Sequence, residues 1–322
     1  MTNNINVKEF VDGIKNTFVF KGVKDHSDIP YSTDAIELYA IALKAEVSKV
    51  DIGRYLFSDN NDYPVSDNND NTDEEKASCN DKQESVIFSC INEILYRSRK
   101  FGDSYPLIVN TNGSFYIKAK TGYSDAQILY IQLLLCSSLT CCKPLLQDLT
   151  TEFEKISASA LKKFLPQHAK VVQLGKNSEI RGTVKDKINE LAHRMNAEVC
   201  SKYIQDLRGS NEAGADIVAW IPFKDQNSNQ LVFYCQCGCG VDYTKKCGEP
   251  SRYNHFLQLN GIKGQIIVFF PYSLIADNGK IYFLGQLTND SLLFERKRIL
   301  DFCDISECSK FATFDKVRYL VS

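Results

Sequence analysis

Gly214-Ala215-Asp216-Ile217-Val218-Ala219-Trp220, followed after a polar turn by Leu231-Val232-Phe233-Tyr234-Cys235-Gln236-Cys237, reads as two neighbouring apolar strands, with an acid at the mouth of the first and an amide near the end of the second. Short apolar runs bounded by glycine and by the polar residues 222–229 are strand signals. A period of two puts Asp216, Val218 and Trp220 on one face of the first strand. On the second it groups Val232, Tyr234, Gln236 and Gly238, with Cys235, Cys237 and Cys239 opposite.

Working outward, a strand is expected at 169–174 and a helix at 182–196, with Val184, Ile188, Leu191, Ala192 and Met195 on its apolar face. A helix at 251–259 and an almost wholly apolar strand at 264–270 follow. This order predicts an α/β (α+β) domain over 166–322, a mixed central sheet flanked by helices. Pro166 marks the expected boundary.

Residues 1–165 read as a mainly helical module that recognises a partner or positions substrate. Helices are expected near 34–43, with Thr33 as its cap, and at 85–100, 125–138 and 151–164. Asn110-Thr111-Asn112-Gly113 should turn a hairpin between 105–109 and 114–120. From Ser58 to Glu84 the chain carries nine acidic and two basic residues, so a solvated acidic loop or disordered insertion is expected there.

The 322 residues are long enough for two domains, and 43% hydrophobic with 24% charged residues is the composition of a folded protein. A formal charge of -2 gives no global attraction to a polyanion, which argues against non-specific DNA coating. Nucleic-acid contact then needs a bound metal or local basic groups such as Arg97, Arg99, Lys100, Lys118, Lys120, Lys162, Lys163, Lys170 and the 295–300 segment. The sequence shows no secretory leader and no apolar run near the roughly 18 to 20 residues of a membrane span, so the expected location is cytoplasmic. The twelve cysteines then read as buried thiols, since alternation along one strand suits a zinc site poorly.

Asp216 offers charge and Gln236 a neutral carbonyl oxygen, the donors a hard ion such as Mg2+ (or Mn2+) takes. Such an ion stabilises charge on a reacting phosphodiester and activates water. Glu190, on the helix before these strands, and Glu212, in the loop beside Gly214, are further candidate metal ligands, though Glu190 reads equally as a surface acid and Glu212 more readily as an exposed loop acid.

These residues resemble the restriction-endonuclease-like superfamily, whose usual core is an upstream Glu, then Asp, then Glu or Gln, one residue, and Lys on a paired strand. The resemblance covers roughly 170–275 and extends in style to nuclease subunits of bacterial antiphage defence systems. It implies a Mg2+-dependent endonuclease acting on DNA, with a separate ATPase or sensor subunit as partner; RNA is an alternative substrate, because a metal site does not itself distinguish the two sugars. Asp216 matches the aspartate, Gln236 the second position and Glu190 the upstream acid. Gly238 stands where the lysine belongs, so Lys245 or Lys246 would have to reach back. The alternative is a catalytically degenerate adaptor of the same fold.

Overall fold

The computed structural model describes residues 7–16, 28–57, 73–207, 213–239, 246–282 and 290–322. The chain divides into two compact units. One comprises Met1–Leu146, Tyr272–Tyr282 and Ala312–Ser322, the other Gln147–Pro271 and Phe283–Phe311. The division falls after Leu146 rather than at Pro166, and two later segments return to the first unit.

In the first unit, α1 (Val7–Asn16), α2 (Ile29–Leu43), α3 (Lys49–Phe57), α4 (Asp73–Phe101) and α5 (Asp125–Ser137) accompany a small sheet of β1 (Val47–Ser48), β3 (Tyr116–Ala119) and β2 (Leu107–Asn110) in that order. β2 and β3 form the expected hairpin, with Gly113 at φ +85°. Ser124 caps α5 through a reciprocal capping box with Gln127. α2 starts at Ile29, before Thr33, because Pro30 suits the first helical turn. It is buried on all sides, not amphipathic.

The expected acidic loop 58–84 is corrected in its second part. Residues 73–84 are the opening turns of α4, where Glu, Lys, Ala and Gln favour helix; 58–72 lie outside the described residues. Arg97 is not a solvated phosphate contact either. It follows Cys90 and Ile94 and precedes Phe101 at helical spacing, and it is fully buried with them.

The second unit contains α6 (Leu146–Phe164), β4 (Lys170–Gln173), α7 (Val184–Met195), β5 (Glu198–Val199), α8 (Ser201–Ile204), β6 (Ile217–Ile221), β7 (Leu231–Cys237), α9 (Tyr253–Phe256), β8 (Leu257–Gln258), β9 (Gln265–Phe269) and β10 (Ser291–Phe294). Five strands form a mixed sheet in the order β10-β9-β7-β6-β4. β4/β6 and β6/β7 are antiparallel, β7/β9 and β9/β10 parallel.

Val218, Trp220, Val232 and Tyr234 pack against the apolar stripe of α7 and against Tyr253 and Phe256 of α9. Cys235 and Cys237 turn the other way, towards Ser157 of α6. The sheet is therefore covered by helices on both faces. No helix among the described residues is long and apolar enough to cross a membrane.

Candidate functional site at the end of the central sheet

The site forms where β4 ends, β6 begins and β7 runs out. Gly214 brings the chain in at φ +103°, and a Cβ there would lie 2.9 Å from the Glu249 carbonyl oxygen, so glycine is required on both counts. Asp216 then sits one residue beyond the regular β6 ladder. Its N–H donates to Cys235 O (2.8 Å), its C=O accepts from Leu174 N (2.7 Å), and its Oδ2 accepts from Cys237 N (2.7 Å). Asp216 thus brackets Gln236, bonding the residues on either side of it. Its carboxylate takes the place of a strand carbonyl, since β6 starts only at Ile217.

Gln236 is 2% exposed, and its Oε1 has no hydrogen-bond partner among the described residues. A buried carbonyl oxygen in that state costs about 1–3 kcal/mol. Such an atom is therefore either tolerated strain or an acceptor waiting for a ligand.

Two residues outside the sequence reading join this end of the sheet. Glu154, from α6, lies against the turn after β4. A Cβ on Gly175 would be 2.6 Å from Glu154 Oε2, and Asn177 Nδ2 donates to that oxygen at 3.4 Å. Lys187, from α7, is 6% exposed and donates from Nζ to Leu174 O at 2.6 Å. Its position was visible in the sequence, since it falls between Val184, Ile188 and Leu191 in the apolar phase of α7.

Among the expected site residues, Asp216 and Gln236 are brought together. Glu190 is not placed with them. Its Oε1 accepts from Arg194 Nε at 2.7 Å on the half-exposed side of α7, and Arg194 lines a cavity with Trp220, at the other end of β6 from Asp216. The apolar stripe of α7 faces the sheet, which turns Glu190 away from it. Glu212 and Lys245 lie outside the described residues. Lys246 is half-buried and makes no ion pair among them.

Among the described residues, no three His, Cys, Asp or Glu side chains group to hold a metal ion. The side-chain oxygens at this end of the sheet are those of the Asp216 carboxylate and the Gln236 amide, with the Glu154 carboxylate beside Gly175 on the Cys237 side. That chemistry fits a hard cation completed by water and phosphate oxygens.

The thiols nearby are inert by environment. Burial first, then the Asp216 carboxylate, pushes the Cys235 and Cys237 thiols well above their ordinary range, and Glu154 adds to the effect at Cys237. Burial also pushes the Cys90 thiol of the first unit up to about 12 from 9.0, which disfavours its thiolate near neutrality. Iodoacetamide at pH 8, read by peptide mass spectrometry, is expected to leave Cys90, Cys235 and Cys237 unlabelled in the folded protein and to label all three in urea. Labelling of folded Cys237 at the rate of a free thiol would contradict this picture.

Comparison of the chain with protein-family models, curated proteins and solved structures finds no match to any of them.

Proposed function

We propose that the second unit is a restriction-endonuclease-like domain that hydrolyses phosphodiester bonds of nucleic acid, DNA foremost, with the help of Mg2+ or Mn2+. The observation that carries this reading is the partnerless, buried Oε1 of Gln236 beside the Asp216 carboxylate. Asp216 and Gln236 would hold the ion, with Glu154 of α6 a further acid at this end of the sheet. When bound, the ion supplies Lewis-acid polarisation of the phosphate and an activated water. The mixed sheet flanked by helices suits such a domain, and the sequence resemblance supports a role in cytoplasmic antiphage defence with an ATPase or sensor partner. A second reading, a nucleic-acid-binding adaptor without cleavage, draws on Gly238 and on the structural bond that Asp216 already makes to Cys237 N.

Gln236→Met tests the first reading. Methionine fills the same volume and removes the orphan oxygen, so the melting temperature is expected to hold or rise. Mn2+ should raise the melting temperature of the wild type and not of the variant. Cleavage of supercoiled, linear and single-stranded DNA, with RNA alongside, should fall about a hundredfold or more. Wild-type protein that binds DNA but cleaves nothing, with its partner present, would favour the adaptor.

A further inference from the structure

In the first unit, α4 turns Ser89, Asn92, Glu93 and Tyr96 to one side, the three-and-four spacing of a helix face. Beside that face lies the segment 272–282 of the same unit, folded back at Gly279 (φ +76°) so that Ile275 and Ile281 pair. Lys100 of α4 fastens it, donating from Nζ to Ser273 Oγ and to the Ile275 carbonyl at 3.1 Å each. Between helix and segment is a cavity of about 440 Å³, to which the segment contributes Asp277, Asn278 and Tyr282. Small-molecule sites are of this size, roughly 300–1,000 Å³.

The lining is chemically one-sided. Among the described residues it holds the carboxylates of Glu93 and Asp277, the phenol rings of Tyr96 and Tyr282 and the amides of Asn92 and Asn278, and no basic side chain. Glu93 is its fixed point. It is 4% exposed, its Oε1 accepts from Arg97 Nε at 2.9 Å, and its Oε2 accepts from the Tyr282 hydroxyl at 3.3 Å. Burial first, then Glu93, pushes that hydroxyl above its ordinary pKa, so it stays a neutral donor. Arg97 divides a single positive charge among the carboxylates of Asp34, Glu37 and Glu93, and of these three Glu93 is the one on the cavity wall. Asp277 is largely exposed and pairs with Arg99 only loosely, at 3.8 Å, a contact of little energy.

We infer that this cavity binds a small organic ammonium, a diammonium best, with one charged end at Glu93 between the tyrosine rings and the other towards Asp277. A cation is drawn both to a buried carboxylate and to the faces of aromatic rings. An anion would meet two acids and no compensating charge. A bare divalent ion takes six or more oxygen ligands and would leave most of the volume unfilled. The site is independent of the Asp216–Gln236 centre.

The test titrates the full chain with putrescine in a calorimeter, with butylammonium and butanol alongside. Putrescine should bind and raise the melting temperature. Its affinity should exceed that of butylammonium about tenfold, and butanol, which has the same chain without the charge, should not bind. Glu93→Gln keeps an oxygen for Arg97 and Tyr282 but removes the charge, and should weaken both amines about tenfold or more. Should that variant fail to fold, the exposed Asp277→Asn decides: putrescine should fall to the affinity of butylammonium, whose own binding should not change. Absence of putrescine binding to the wild type overturns the inference. So does butanol binding as tightly as butylammonium, or putrescine affinity unchanged in folded Glu93→Gln or in Asp277→Asn.

Discussion

Arg97→Met is expected to destabilise the first unit by about 3–5 kcal/mol, a large part of the roughly 5–15 kcal/mol that holds a domain folded. The guanidinium has no exposed surface. Its Nε donates to Glu93 (2.9 Å), its Nη1 to Asp34 (2.6 Å) and Glu37 (3.2 Å), and its Nη2 to the Pro30 carbonyl (2.9 Å). Burial acts to lower its pKa, but Glu37, Asp34 and Glu93 together outweigh burial and hold it well above its ordinary value.

The same acids are tied on their other sides. Tyr105 and Tyr130 donate to Glu37, and Ser137 donates to Asp34. Removing the one guanidinium leaves three carboxylates facing each other across α2 and α4 in a medium of low dielectric. Arg97→Lys should lose less, because it keeps the charge but not the fork that spans several acceptors. Replacing the acids by their amides together with Arg97→Met should recover much of the loss. Urea titrations followed by far-UV circular dichroism measure all of these. A midpoint for Arg97→Met within error of wild type would mean that the cluster contributes nothing net.

Arg97 also shows which parts of the sequence were legible. Helix existence and the strand pair were clear because apolar periodicity reports them directly, as at β6, β7 and the stripe of α7. The glycine turn at Gly113 was clear for its own conformational reason. What periodicity conceals is a charged residue in the buried phase. Arg97 follows Ile94 by three, and Lys187 follows Val184 by three. Arg296, in the basic 295–300 segment read as phosphate-contacting, is buried and donates from Nε to the Pro271 carbonyl at 2.7 Å.

Arg97 and the 295–300 segment were read as phosphate contacts because they are basic, and Lys187 was passed over, although the phase of each put it inside. The opposite error was made at Glu190, whose acidity recommended it although its phase points outward to Arg194. Glu154 was beyond reach for another reason. It meets the site only because β4 turns back past α6 at Gly175, and that is a tertiary fact with no local sequence mark.

Asp216→Asn is expected to reduce metal-dependent cleavage about a thousandfold or more while leaving the fold nearly intact, and the contrast with Asp216→Ala makes the experiment decisive. The carboxylate has two separable tasks. One is structural, since Oδ2 accepts the Cys237 N–H at 2.7 Å just before β6 begins. Asparagine keeps an oxygen for that bond, so its melting temperature should stay close to wild type. Alanine leaves the buried N–H without this acceptor, and should cost about 1–3 kcal/mol.

The other task is charge. Asparagine offers a neutral oxygen, and with Gln236 already neutral the centre would lose the carboxylate beside that amide, weakening its hold on a divalent ion. If the charge is what matters, both variants lose cleavage and Mn2+ binding alike, although only alanine loses stability. If Asp216 serves the fold alone, asparagine should retain full activity, and any loss in alanine should follow the fraction unfolded. Full cleavage by Asp216→Asn would remove Asp216 from the chemistry and leave it as the residue that closes the gap at the end of β6.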